Sequence, residues 1–431
     1  MKFGLLYEHW LQVLDHAPQA EALRQVTTGQ SWTFRQLDEA SKSDPSPATR
    51  SVKFVEGGSA QFIPKVLAAW RADQILCPLE LGQPPPNLAG EVPGDVVHLK
   101  TTSATTGLPR LVAFTAAQLI ADARNIVMTM GLSQAAPNLG VVSLAHSYGF
   151  SNLVLPLLLH GIPLILTTGN LPEGLKSAAA SAQNVTLAAV PALWQTWLDA
   201  HAIPPNLRLA ISAGAPLPLS LEQSVFVRHG LKIHNFYGSS ECGGIAFDAT
   251  SVPRADPTLT GAPLVNVAAS IGPEGCIEVR GPAVGKSYWP QPGSNLQGGV
   301  FRTSDLGEIS NGLIHLRGRA TDQINIAGRK VSPEAIEGVL AEHPAVRACV
   351  AFGLPSSDTQ RGEIIVACVA GAAGLSPDAL KQFALTRLPA WQVPREWWFV
   401  DTLAVNCRGK LSRAEWRRRF LEKSRELNRR Q

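Results

Sequence analysis

Gly318-Arg319-Ala320-Thr321-Asp322-Gln323-Ile324-Asn325-Ile326-Ala327-Gly328-Arg329-Lys330-Val331-Ser332-Pro333-Glu334-Ala335-Ile336-Glu337 is a charged, glycine-punctuated stretch at which the pattern of the chain changes. Just before it, from about Ala249, short apolar runs between Gly and Pro turns predict strands at Ala268–Ile271, Gly275–Arg280, Gly307–Ile309 and Gly312–Leu316. Further upstream, predicted strands at Leu139–Ser143, Ile162–Thr167, Val185–Val190 and Leu207–Ser212 alternate with helical patterns such as Phe62–Ala72 and Ala116–Met130. That alternation favours an α/β sheet architecture. After the stretch comes a separate unit: helix Pro333–His343, strands Val346–Gly353 and Glu363–Ala370, helix Pro377–Leu388 and a basic C-terminal helix. The expected fold is α/β. A large N-terminal domain, 1–320, consists of α/β sheets with a β-rich part over about 250–320, and a small α+β domain follows at 321–431.

The bulk properties exclude more than they assign. With 431 residues, 45% hydrophobic and 17% charged, the chain can bury sizeable cores and has no disordered composition. A net charge of +4 is too small at this length to argue for nucleic acid. Cys77, Cys242, Cys276, Cys349, Cys368 and Cys407 are scattered singly, which points to reduced thiols and a cytoplasmic setting. Met1–Leu14 carries Glu8 and His9 and does not read as a signal peptide. The most apolar run, Leu153–Leu166, is interrupted by His160, Gly161 and Pro163, so it reads as a buried helix, a turn and a strand. No transmembrane segment is expected.

Four further segments carry polar chemistry. Thr101-Thr102-Ser103-Ala104-Thr105-Thr106-Gly107-Leu108-Pro109-Arg110 follows a predicted strand at Val96–Lys100. A hydroxyl-rich turn with glycine and a nearby cation can wrap phosphate oxygens, and the spacing is not that of a Walker loop. Asn235-Phe236-Tyr237-Gly238-Ser239-Ser240-Glu241 offers a carboxylate for Mg²⁺ beside hydroxyls, and an aromatic ring able to stack on a base. Phe301-Arg302-Thr303-Ser304-Asp305-Leu306-Gly307 offers a carboxylate that can accept both hydroxyls of a ribose. Asn406-Cys407-Arg408-Gly409-Lys410-Leu411-Ser412-Arg413 places a lysine after a glycine in a basic loop. Each of these, taken alone, reads more readily as an ordinary turn or a solvated loop.

Taken together, in this order, the five segments resemble the acyl-adenylate-forming superfamily of acyl-CoA synthetases, adenylation domains and beetle luciferases. That family reads T-S-G-T-T-G-x-P-K-G, Y-G-x-T-E, F/Y-R-T-G-D, G-R-x-D-D-x-I-K-x-x-G-x-R-V-x-P-x-E-I-E and a late G-K. Trp32-Thr33-Phe34-Arg35-Gln36-Leu37 and Ser212-Ala213-Gly214-Ala215-Pro216-Leu217 add weaker echoes, so the likeness spans nearly the whole chain.

The resemblance implies a role for each residue. Ser103, Thr105, Thr106 and Gly107 would hold the ATP β- and γ-phosphates, with Thr106 counted in the catalytic set. Tyr237 would stand near adenine, Ser240 at the α-phosphate, and Glu241 on Mg²⁺. Asp305 and Arg319 would hold the ribose, and Gly214, Ala215 and Pro216 would line the adenine and acyl sites. Lys410 would bridge the attacking carboxylate and the α-phosphate, where a cation lowers the cost of bringing two anions together. His146, in His146-Ser147-Tyr148-Gly149, would line or gate the acyl pocket with Gly214. The small domain would be mobile, turning about a hinge near Thr321 to withdraw Lys410 and present the Gly328 segment to a thiol.

The implied activity is ATP-dependent conversion of a carboxylic acid to acyl-AMP, then transfer to CoA or to the phosphopantetheine arm of an acyl carrier protein. A non-catalytic nucleotide- or acyl-binding protein is the alternative of another class. Leu144–Asn152 has no acidic residue to pair with an α-ammonium, so an apolar acyl or aryl acid is expected. Ala104, Leu111, Ser304 and Thr321 depart from the family's glycines and hinge aspartate, and Arg110 replaces a lysine while keeping its charge. The phosphate loop also comes early, as though the N-terminal part were trimmed around Ser43–Arg50.

Overall fold

The computed structural model describes residues 4–44, 49–88, 90–102, 110–167, 169, 171–356, 362–404 and 411–430, with side chains of the last helix described to Ser424. The strand at Leu207–Ser212 and the helix at Ala116–Met130 coincide with the sequence-based spans, and most other predicted elements differ by a few residues at their ends. Helix Ala116–Met130 shows why boundaries were legible there. Thr115 and Gln118 form a reciprocal capping box at its start, and Gly131 closes it in the left-handed region at φ 61°.

Among the described residues the largest sheet has 14 strands. Its middle is parallel: Ile233–Ser239, Leu207–Ser212, Val185–Ala189, Asn138–Gly140, Leu164–Leu166 and Glu21–Gln25 lie side by side. From Ile233–Ser239 it continues antiparallel through Gly243–Phe247 and Leu259–Pro263 into the long hairpin Val300–Ser310 and Leu313–Arg319. The β-rich part is thus the antiparallel wing of the same sheet. A second sheet runs Ser287–Trp289, Leu111–Thr115, Val96–Thr101, Ile75–Leu79 and Val52–Glu56. Apolar side chains from both sheets and from the helices between them, including Phe62, Phe114 and Phe150, form one core.

Beyond residue 320 the elements are a short hairpin, Ile324–Ile326 with Arg329–Val331, and a sheet of Val346–Pro355, Glu363–Gly371 and Glu396–Val400. They enclose cores of their own around Ile336, Leu340, Val369 and Trp416. Leu153–Leu166 forms a π-turn at Phe150–Val154, a helix at Leu155–His160 ended by left-handed Gly161, and a strand at Leu164–Leu166, as its interruptions predicted. No helix among the described residues is long and apolar enough to cross a membrane. The five cysteines described are all free thiols.

Candidate active site

Two of the polar segments are more ordered than turns. Asn235–Ser239 belongs to a strand that runs from Ile233, and Asp305 lies inside strand Val300–Ser310 opposite Arg319. This register brings three predicted nucleotide residues together. The Tyr237 hydroxyl donates to Asp305 Oδ2 at 2.7 Å, and Arg319 Nε donates to Asp305 Oδ1 at 3.0 Å. Burial and then the Asp305 carboxylate push the Tyr237 phenol well above its ordinary pKa, so it remains a donor. Burial pulls the Arg319 guanidinium down, and Asp305 together with Asp322 more than offsets it. A carboxylate has about four lone-pair sites, so Asp305 keeps acceptor capacity for ribose hydroxyls.

Ser240 and Glu241 follow in the turn between two strands. The Glu241 backbone N–H donates to Ser239 Oγ at 3.2 Å, its carbonyl accepts from Gly285 N at 2.8 Å, and Tyr288 donates its hydroxyl to Glu241 Oε1 at 3.0 Å. Glu241 is thereby held from three sides. Tyr288 was not legible as a site residue, since Ser287-Tyr288-Trp289 reads only as a short strand. Arg110, which keeps the charge of the family's lysine, lies with its guanidinium carbon 5.2 Å from the Tyr288 ring centre. Among the described residues no group of three or more His, Cys, Asp or Glu could enclose a metal. A lone carboxylate suits Mg²⁺, which keeps waters and takes phosphate oxygens for its other ligands.

Gly214 sits just past strand Leu207–Ser212 at φ 85°, a conformation that favours glycine. Gly214 and Pro216 are exposed and Ala215 is half-buried. Their loop is tied from behind, because Arg254 Nη2 donates to the Leu217 carbonyl at 2.7 Å. Arg254 pairs with buried Glu222 at 2.8 Å, and Glu222 also meets Lys232, which reaches Asp248 at 2.6 Å. Sequence reading missed this network; its signal was charged residues in otherwise apolar surroundings.

His146 caps a single helical turn, its Nδ1 accepting from Tyr148 N at 3.2 Å. Gly149 is required there, since a Cβ would stand 2.0 Å from the Ser143 carbonyl oxygen. The loop is thus folded tightly on itself, and the Tyr148 hydroxyl is buried without a hydrogen-bond partner among the described residues. Thr321 lies in a 3₁₀ turn, Ala320–Asp322, directly after the Arg319 strand, with its hydroxyl 3.1 Å from Asp322 Oδ1. Gly328 forms the tip of the short hairpin with Ala327, at φ 81° and 51° respectively.

Ser103, Thr105, Thr106, Gly107 and Lys410 lie outside the described residues. Their anchors are described. Thr102 N donates to the Arg110 carbonyl at 2.9 Å, closing the base of the loop. At the other end, Arg413, three residues after Lys410, pairs with Asp322, Glu334 and Glu337 at 2.7–2.8 Å.

Comparison with known proteins gives the family and the fold. Residues 68–289 match the model of the AMP-binding enzyme family, and residues 335–410 match that of the AMP-binding enzyme C-terminal domain. Feruloyl-CoA synthase from an Amycolatopsis species is 30% identical over 351 residues, covering 76% of this chain and 70% of that protein. The 2-succinylbenzoate–CoA ligase of Geobacillus kaustophilus is 29% identical over 345 residues, covering 75% and 69%. In fold, the chain superposes on ATP-bound MatB from Rhodopseudomonas palustris with a TM-score of 0.86 at 20% identity, over 97% of this chain and 99% of that one. The first family match alone spans just over half of the sequence, and the chain belongs to the family of AMP-binding, acyl-adenylate-forming enzymes.

Proposed function

We propose that this chain is an acid–thiol ligase that activates a carboxylic acid with ATP as acyl-AMP and passes the acyl group to CoA. The observation that carries the reading is the meeting of Tyr237, Asp305 and Arg319 at one carboxylate, with Glu241 held by Tyr288 on the neighbouring turn. The first group takes the nucleoside end of ATP. Glu241 takes Mg²⁺, which neutralises phosphate charge when bound. Ser103, Thr105, Thr106 and Gly107 take the outer phosphates, Ser240 the α-phosphate, and Lys410 the approach of one anion to another. The relatives named as CoA ligases support the acceptor, and a carrier-protein phosphopantetheine is the second candidate.

The acid is an apolar acyl or aryl acid. Leu144–Asn152 has no acidic residue of its own, and the Asp122 carboxylate that reaches Ser151 is already matched by Lys100; the Glu80 carboxylate, which accepts from Ser143 at 2.6 Å, stands at the edge of the segment. The separate cores on either side of residue 320 support a boundary between residues 320 and 321, with the small domain turning at Thr321 to bring the Gly328 hairpin to the thiol. The free thiols fit a reducing, cytoplasmic setting.

The test is a thioester assay with ATP, MgCl₂ and a panel of fatty, aryl and amino acids, run with CoA and separately with a phosphopantetheinylated carrier protein. Thioester with CoA and an apolar or aryl acid is expected. Thioester on the carrier alone would replace the acceptor, and preference for an α-amino acid would overturn the substrate class.

A further inference from the structure

A buried ionic bridge joins three segments that surround the site. Lys100, in strand Val96–Thr101, is 4% exposed, and Asp122, in helix Ala116–Met130, is 1% exposed; their charged atoms are 3.6 Å apart. Ser151 of the π-turn stands between them, donating to Asp122 Oδ2 at 2.6 Å and accepting from Lys100 Nζ at 3.2 Å. The other oxygen of Asp122 accepts from Gly244 N at 3.2 Å. It also lies against Gly243, where φ is 70° and any Cβ would stand 1.9 Å from that oxygen. The carboxylate is therefore seated on the backbone just after Glu241.

Stability does not explain this bridge. Desolvating two charges costs more than an apolar pair of similar volume would, and Lys100 lies next to last in its strand, on the face it shares with buried Val96 and His98. What the bridge supplies is directional. It connects the strand entering the phosphate loop, the π-turn after the His146 segment, and the turn carrying Glu241.

We propose that Lys100, Asp122 and Ser151 are positioning residues that set the place of the Glu241 carboxylate for Mg²⁺·ATP. This rests on the reading of Glu241 as the Mg²⁺ carboxylate. None of the three need touch the nucleotide; they act through the Gly243–Gly244 backbone.

The experiment is calorimetric titration of ATP into the full chain with and without MgCl₂, the readout being the ratio of the two affinities. The variants are Ser151→Ala, and Lys100→Met combined with Asp122→Asn so that both charges leave together. On the usual worth of charged hydrogen bonds, the Mg²⁺-dependent tightening falls about tenfold in the double variant and about threefold in Ser151→Ala. ATP affinity without Mg²⁺ stays within about twofold, because the ribose residues are untouched. Variants that keep the wild-type ratio, or lose affinity equally with and without Mg²⁺, overturn the proposal and make the bridge purely structural. If wild type itself shows no Mg²⁺ effect, the assignment of Glu241 fails instead. Should the double variant not fold, Ser151→Ala, which removes a single oxygen, decides.

Discussion

Tyr237 and Asp305, 68 residues apart in sequence, share a hydrogen bond of 2.7 Å on the same carboxylate that Arg319 grips from its other side. If this carboxylate receives the ribose, Asp305→Ala raises the KM for ATP by on the order of a hundredfold. Tyr237→Phe, which removes one donor to a charged group, raises it about tenfold. The KM for the acid stays close to wild type in both. ATP kinetics at saturating acid read this directly, and an unchanged ATP KM in Asp305→Ala would remove the residue from the nucleotide site.

Glu241 and Tyr288 make a second, separable pair at 3.0 Å. Glu241→Gln removes the metal carboxylate, so the Mg²⁺ concentration for half-maximal rate rises by at least about tenfold. Tyr288→Phe leaves the charge and loosens only its orientation, with a shift of about threefold. Equal effects from the two substitutions would show that Tyr288, and not the carboxylate, carries the function.

The sequence made the order of elements and the identity of the five segments legible, because those rest on local periodicity and on residues at fixed spacing. Asp305 read as a turn residue because Thr303-Ser304-Asp305 is polar. Only its register with Arg319 across the hairpin shows it to be strand. Tyr288 and the Lys100–Asp122–Ser151 bridge were not legible. Their partners lie 47 and 22 to 51 residues away, and pairing at such separations is decided by tertiary packing.

The Lys232–Asp248 pair gives a pH signature. Burial raises the Asp248 carboxyl, but the hydrogen bonds from Lys232 and Thr250 hold it below its ordinary value overall. The folded pKa is lower than the unfolded one, so the stabilisation is present above about pH 4 and is lost as pH falls through the depressed value. In Lys232→Met the buried Asp248 carboxylate loses its cation, while Glu222 keeps Arg254, at a cost of about 3–5 kcal/mol near neutrality. The folded pKa of Asp248 then rises, and acidification restores part of the loss. The gap in Tm between wild type and Lys232→Met should therefore narrow from pH 7 to pH 5. A gap that widens on acidification would contradict the assignment.

Arg413 anchors the chain just after Lys410 to Asp322 at the hinge turn and to Glu334 and Glu337. Arg413→Met leaves Glu337 half-buried beside Glu334 without its cation. Stability falls by about 1–3 kcal/mol, seen as a lower Tm, and the rate of acid-dependent pyrophosphate release falls with it. Arg413→Lys, a charge without the fork, recovers only part of either. Full adenylation by Arg413→Met at a temperature where it remains folded would separate this anchor from Lys410.

In the proposed reaction an acid attacks ATP, and acyl-AMP is its direct product. The decisive measurement is detection of acyl-AMP by mass spectrometry after incubation with ATP, MgCl₂ and the acid panel in the absence of any thiol, beside Lys410→Ala. Acyl-AMP and an equal amount of pyrophosphate are expected with an apolar or aryl acid. In Lys410→Ala both fall by about a hundredfold or more, while thioester formation from supplied acyl-AMP persists. Absence of acyl-AMP across the panel, or undiminished formation in Lys410→Ala, would contradict that reaction.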